Sequence, residues 1–322
     1  LFIYALCVVP NLLLGVTQFF SSPDNPINAY VGSSTDIALA GTKPRITGSF
    51  SYLSGYSTYL NAVILILIYL LNTEKARFKS LIIIHPLIAF SLVNLLMTGS
   101  RGPTWATLIS VGVYLFASAR LGIRFASQTF LRLGFAACIV LYVFISFQSP
   151  REALESFSAR TEDSYDIAPR LIDTFTPLKF FKDAGLLGYG IGTTYQGAAQ
   201  WIPLTSDMNR DFEEEPERIL LEMGLIGYIL CYLLRIALAF QCWRLFHQLR
   251  DKDLKLLALC ALLFQWQFIH LRNLVFDFTS GVLYWFFIGF LFLLPKLDAV
   301  RSANSVTSAH SNTTPEQTGT AR

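Results

Sequence analysis

Asp211-Phe-Glu-Glu-Glu-Pro-Glu-Arg218-Ile-Leu-Leu-Glu222-Met-Gly-Leu-Ile-Gly227 is where a long polar stretch runs into an apolar segment. The polar stretch reaches back to about Ser149. Between Ser149 and Glu222 lie fourteen of the chain's twenty-two acidic residues, with Arg151, Arg160, Arg170 and Arg210 among them. Connections this long in a compact protein are either functional or disordered. Pro/Gly punctuation and apolar periodicity read this one as folded, with a short amphipathic helix over 151–160 and a second from about Ile167 to Ala184 that carries Arg170. Gly185-Leu-Leu-Gly188-Tyr-Gly190-Ile-Gly192 follows. Its Gly-x-Gly spacing has no βαβ context, so it reads as a tight turn close to substrate or membrane rather than a dinucleotide fingerprint.

Outward from this loop the chain is apolar. Of 322 residues 53% are hydrophobic and 15% charged, and the mean hydropathy is +0.48; a soluble domain carries roughly 25% charged residues. The apolar residues gather in runs near the ~20 residues that span a bilayer. The fold expected is an all-α polytopic membrane protein with eight transmembrane helices, at about 1–20, 56–72, 81–98, 103–119, 128–148, 218–243, 254–271 and 274–295. In domain terms, 1–296 is a transmembrane helical domain interrupted by a loop over 149–216, and 297–322 is a disordered cytoplasmic tail. The chain opens at Leu1, already apolar, and further N-terminal sequence is expected before it. Cys7, Cys138, Cys231, Cys242 and Cys260 all lie in apolar runs, with no metal-ligand spacing or disulfide framework among them.

Short cationic loops stay on the cytoplasmic side. The connection 72–80 carries Lys75, Arg77 and Lys79, the turn 119–127 carries Arg120 and Arg124, and 243–255 carries Arg244, Arg250, Lys252 and Lys255. These alternate with cation-poor connections at 21–55, 98–103 and 271–274. The alternation puts both ends inside, and puts 21–55, Arg101, the long loop and Arg272 outside.

Several residues carry chemistry on this outer side. Thr98-Gly-Ser-Arg101-Gly-Pro-Thr-Trp105 is a helix start with Pro103 in its first turn. Free N–H groups there and the planar fork of Arg101 suit a phosphate; a snorkelling arginine is the plain alternative. Arg45-Ile-Thr-Gly48-Ser-Phe50 closes the first outer loop, either as part of a site or as an interfacial belt. Glu222 is an ionisable residue one turn into a span and so a functional candidate, unless it is simply the i, i+4 partner of Arg218. Glu215 is expected only to complement the helix dipole. His270 and Arg272 sit at a further outer turn with Asn273 and Asp277. Arg235 reads as reaching the inner interface, and His85 as a satisfied interior histidine.

Four of these pieces together resemble the O-antigen ligase/polymerase superfamily of bacterial membrane proteins. They are Arg45-x-x-Gly48-x-Phe50, Thr98-Gly-Ser-Arg101-Gly, Arg170 with Leu187-Gly188-Tyr-Gly190-Ile-Gly192, and Glu222-x-Gly224-Leu-Ile-Gly227. The resemblance covers about 45–295. It implies a glycosyltransferase at the periplasmic face of the bacterial inner membrane, using neither metal nor other cofactor. The donor it implies is a glycan on undecaprenyl pyrophosphate, the acceptor another glycan or lipid, and the surroundings membrane lipid; no nucleic acid is expected. A carrier of lipid-linked glycan and a non-catalytic assembly or export protein are the alternatives. The chain departs from the family at one point. Nine residues before the helix-entry glutamate the family has a His-Asn pair, and here Glu213-Glu214 stands instead. Either Glu213 takes the role of base, with Glu214 and Glu217 as substitutes, or this branch works differently, or the chain is not an active ligase; on the first reading the catalytic residues are Glu213, Arg101 and Arg170, and the substrate-binding ones Arg45, Arg218, Glu222, His270 and Arg272.

Overall fold

The computed structural model describes residues 7–30, 38–40, 43–72, 78–122, 181–194, 215–270 and 272–311. In chain order these form α1 (Val8–Phe20), a 3-10 turn (Pro26–Asn28), a two-residue antiparallel ribbon of β1 (Leu39–Ala40) and β2 (Lys43–Pro44), α2 (Leu53–Asn72), α3 (Phe78–Met97) and α4 (Arg101–Arg120). The four-residue α5 (Phe181–Ala184), α6 (Glu215–Gln248), α7 (Lys252–Gln265), α8 (Gln267–His270) and α9 (Phe278–Ser311) follow.

The chain is helical, as its composition requires, but eight spans are not what the described residues show. Three helices are long and apolar enough to cross a membrane: Leu53–Asn72, Glu215–Gln248 and Phe278–Asn304. Val8–Phe20 and Ile83–Met97 are apolar but shorter. The expected fourth and seventh spans are helical as α4 and α7, but α4 is diluted by Ser, Thr and Gly, and α7 opens on Lys252, Asp253 and Lys255 and stops at Trp266. The expected span at 128–148 and the helix at 151–160 lie outside the described residues. So does the helix from Ile167, apart from its last turn, α5.

α2 is apolar on all sides, and such a helix is buried. It packs against α3, α4, α7 and α9. Leu60, Ile64, Leu67, Phe264, Phe268 and Phe287 fill the space between, with the rings of Phe264 and Phe287 stacked at 4.4 Å. A polar thread crosses this core. Asn61 Nδ2 donates to Gln267 Oε1 (2.7 Å), Gln267 Nε2 donates to Ser110 Oγ on α4 (3.0 Å), and the Thr58 and Ser280 hydroxyls meet at 3.2 Å. In a low-dielectric interior each such bond fixes which helix faces which.

α9 continues past Lys296 to Ser311, over residues that the sequence assigns to a tail. Two charges on its extension meet the α6–α7 turn. Asp298 accepts from the N–H groups of Arg250 and Asp251, and Arg301 Nη1 donates to Asp251 Oδ2 at 2.6 Å. The other oxygen of Asp251 caps α7 by accepting from Asp253 and Leu254. Burial alone would raise the Asp251 carboxyl, but the bonds from Arg301 and the two backbone N–H groups outweigh it and hold its pKa below the usual value. A carboxyl depressed in the folded state stabilises the fold above its unfolded pKa of about 3.9, and that contribution is lost as pH falls through the folded value. Asp251→Ala should cost about 1–2 kcal/mol, chiefly through the lost cap. Asp251→Asn keeps a capping side chain and should cost under ~1 kcal/mol. Thermal melts in detergent at pH 7 check both, and the gap between wild type and Asp251→Ala should narrow on acidification below about pH 3.9.

Candidate functional site

The site is built on a break in α6. Gly224 has φ 65° and ψ −173°, and the helical path does not continue through it. Along a straight helix Glu215 and Arg235 would stand about 30 Å apart. They meet at 3.0 Å, so residues 215–223 double back beside the first turns of 225–248.

Such a reversal strands backbone groups on both sides of the break. The glycine turn after α5 meets them. Tyr189 N–H donates to Leu221 O (2.9 Å) and Gly190 N–H to Glu222 O (3.0 Å), while Leu225 and Ile226 donate to the carbonyls of Gly185 (3.1 Å) and Leu186 (3.2 Å). The fit is backbone against backbone. A Cβ at Gly188 would lie 2.5 Å from Gly224 N, and one at Gly224 would lie 2.3 Å from Leu186 O; both residues also have positive φ.

Side chains complete the clasp. Glu222, buried, accepts from Gly192 N–H (2.9 Å) on one oxygen and from Thr194 N–H (3.1 Å) and the Thr194 hydroxyl (2.5 Å) on the other. Arg218 Nε donates to the same hydroxyl (2.9 Å), and its Nη2 to Thr194 O (3.3 Å). Arg218 and Glu222 are thus joined through Thr194. The guanidinium of Arg218 lies over the Phe276 ring, 3.6 Å from its centroid.

Phe276 belongs to the turn 272–277 between α8 and α9, and this turn also receives Glu215. One Glu215 oxygen accepts from Leu274 N–H (2.7 Å) and from Val275 N–H, and the other takes Arg235 Nη1. Arg235 Nη1 also donates to Phe268 O (2.9 Å). Glu215 and Arg235 are only 2% and 3% exposed, which overturns both expectations for them. Glu215 is not a dipole partner on a solvated helix end, because its carboxylate is drawn inward. Arg235 does not reach for the inner interface, because its charge is met by that carboxylate. Arg272, at the start of the same turn, points into the core: Nε donates to Gln267 Oε1 (2.9 Å) and Nη1 to Thr58 Oγ1 (2.7 Å). Burial pulls its pKa down to about 9 against the opposing pull of Asp277, so it stays charged at neutral pH.

A second group joins residues 45–48 to the start of α4. Gln18 Oε1 accepts from the N–H groups of Thr47 (3.1 Å) and Gly48 (2.8 Å), which fixes the loop below Arg45. Arg45 Nε then donates to Thr98 O (2.9 Å) and Nη2 to Ser100 Oγ (3.1 Å). Ser100 is the N-cap of α4 but makes no side-chain capping bond, and Arg101 is the first helical residue. The Tyr30 hydroxyl donates to Arg45 O (3.1 Å); burial raises the Tyr30 pKa, Arg45 pulling it the other way.

Residues 86–232 match the family model described as O-Antigen ligase. That stretch belongs to the O-antigen ligase/polymerase superfamily. The match runs from Pro86 in α3 through the start of α4 and the glycine turn to Tyr232, past the break in α6. No curated protein and no solved structure matches significantly. Members of the O-antigen ligase family are glycan ligases and polymerases that act on lipid-linked glycans, and the apolar helices of this chain fit a membrane protein.

Within the O-antigen ligase domain and its flanks, Arg45 is brought to the residues just before Arg101, and Arg218 to Glu222. Arg272 turns into the helix bundle. Arg170 and Glu213 lie outside the described residues, and so does the side chain of His270, whose backbone ends α8. The reading of sequence missed Thr194, Glu215, Arg235 and Phe276. The signal present for Glu215 and Arg235 was one acid and one base, each next to an apolar run, with no local partner to join them.

Gly188→Ala and Gly224→Ala should each abolish the clasp, since the added methyl must displace backbone in a conformation that already costs an L-residue about 1–2 kcal/mol. Neither variant should give monodisperse protein in detergent. Gly112→Ala, helical and with open space around it, should be neutral or gain up to about 1 kcal/mol in a thermal melt.

Proposed function

We propose that the protein transfers or polymerises a glycan from an undecaprenyl-pyrophosphate-linked donor at the periplasmic face of the bacterial inner membrane. The observation that carries this reading is the clasp at Gly224. It holds the Arg218 guanidinium against an aromatic ring beside a glycine turn, at the end of the long polar stretch. A sugar hydroxyl of the acceptor attacks the anomeric carbon of the donor. The new carbon–oxygen bond forms as the bond from that carbon to the pyrophosphate oxygen breaks, and the hydroxyl proton goes to a base. Negative charge grows on the departing lipid pyrophosphate, and cations already fixed in a water-poor site stabilise it without having to reorganise.

In this reading Arg218, Arg101 and Arg170 face the pyrophosphate, Arg101 with the first N–H groups of α4 beside it. Glu213 stands in the family's histidine position and takes the proton. Glu222, Arg45 and Arg272 act as positioning residues instead: both Glu222 oxygens hold the Gly192–Thr194 turn, Arg45 holds Thr98 and the Ser100 cap before Arg101, and Arg272 is turned into the bundle onto Gln267 and Thr58. His270 would line the same outer turn as Arg272.

A carrier of lipid-linked glycan is the second reading, favoured by the buried Glu215–Arg235 pair, since ionised side chains inside a membrane segment often mark transport pathways. One assay separates the two. Purified protein in lipid nanodiscs is incubated with a lipid-linked oligosaccharide and acceptor, and released undecaprenyl pyrophosphate and joined glycan are followed by mass spectrometry. The transferase releases lipid pyrophosphate, and a carrier does not. Arg218→Lys, which keeps the charge but loses the fork, should slow release by about tenfold or more. Glu213→Gln should abolish release while retaining donor binding, and equal rates for it and the wild type would exclude Glu213 as the base.

A further inference from the structure

We infer that Glu215 and Arg235 form a positioning pair that sets the height of Arg218 and of the Glu222 clasp against the 272–277 turn, an inference that rests on the glycan-transfer reading for its catalytic consequence. The segment 215–223 is held at both ends. At its far end Glu222 and the backbone around Gly224 grip the glycine turn. At its near end Glu215 is gripped by three donors from two other parts of the chain, Leu274 N–H, Val275 N–H and Arg235 Nη1. Arg218 lies between, on the ring of Phe276, one residue beyond Val275. Moving the near end by one turn would take Arg218 off that ring.

The arrangement is shaped for register more than for stability. A buried ion pair loses most of its attraction to the cost of drying two charges, and an apolar pair of similar size often holds a fold as well. An apolar pair can slide, however. A carboxylate with one oxygen on two successive N–H groups and the other on a guanidinium fits at one height only. Arg235 is fixed in turn, because its Nη1 is shared with Phe268 O, next to the Gln267 that Arg272 engages. Its Nε and Nη2 are buried with no hydrogen-bond partner among the described residues, so Glu215 is its one anionic contact. The pair thus ties the Arg218 segment to the polar thread running through Arg272, Gln267 and Ser110 to α4, whose first residue is Arg101.

The test reads geometry apart from activity. Nitroxide labels are placed at Ile191→Cys in the glycine turn and Phe278→Cys beside the 272–277 turn, both strongly exposed, with the five native cysteines replaced. Electron–electron distance measurement should give one narrow distribution in the otherwise native protein. The double variant Glu215→Leu/Arg235→Met removes both charges together and should fold. It should broaden the distribution and lower kcat for lipid pyrophosphate release by about 10- to 100-fold with KM nearly unchanged. Arg235→Lys, which keeps a cation within reach of the carboxylate, should restore the narrow distribution and most of kcat. A native-like distribution or an unchanged kcat in the double variant overturns the proposal, and so does an Arg235→Lys protein as broad as the double variant. Should the double variant not fold, the Arg235→Lys result decides alone. If the wild type releases no lipid pyrophosphate, the glycan-transfer reading fails, and the label distances still decide whether the pair positions the clasp.

Discussion

A helix that reverses must find partners for the backbone groups it strands. At Gly224 these are the carbonyls of Leu221 and Glu222 and the N–H groups of Leu225 and Ile226. Left unmet, each would cost about 1–3 kcal/mol, together a large part of the ~5–15 kcal/mol that separates folded from unfolded protein. The glycine turn of residues 185–190 supplies a partner for all four. Neither piece is stable in this shape alone: the break needs the turn to satisfy it, and the turn needs the break to hold its positive-φ glycines in one conformation. Two motifs of the O-antigen ligase domain, far apart in sequence, are halves of one structural unit.

From that unit the rest of the site can be traced. The reversal carries Arg218 over Phe276 and Glu215 onto the N–H groups of Leu274 and Val275, so the 272–277 turn becomes the floor under the site although it lies beyond the family match. The same turn sends Arg272 into the bundle, where Gln267 passes the contact on to Ser110 of α4. On α4 the first residue is Arg101, and the cap before it is held by Arg45. Arg272 is thus set by hydrogen bonds to Gln267 of α8 and Thr58 of α2, both in the core.

The local half of this was legible in the sequence. Apolar runs marked α2, α3, α6 and α9, the Thr98–Pro103 start marked α4, and the glycine spacing marked a tight turn, because each obeys a rule that reaches only a few residues. The eight expected spans are not all shown: among the described residues α4 and α7 are shorter or more polar than a bilayer asks, and the run at 128–148 lies outside those residues. The reversal in α6 was not legible: hydrophobicity on both sides of Gly224 is continuous, and a single glycine in an apolar run is compatible with an unbroken helix. Everything that depends on the reversal was hidden with it. Glu215 obeyed the local rule for helix starts, yet its partners are Arg235, 20 positions on, and Val275, 60 positions on. Glu222 had a tempting neighbour in Arg218, and the residue that joins them, Thr194, comes from 28 positions earlier.

The inward turn of Glu215 also changes the electrostatics of the acidic run beside it. Read as a string, Glu213-Glu214-Glu215 is three like charges in a row. In the fold Glu215 does not act as a third free negative charge. Its charge is met by the Arg235 guanidinium and its lone pairs by two backbone N–H groups. A like charge that is already met by a partner repels its neighbours far less than a free one. In the proposed transfer, a site that is dry when donor and acceptor are both bound is the condition under which Arg218 and Arg101 would stabilise a departing pyrophosphate most strongly.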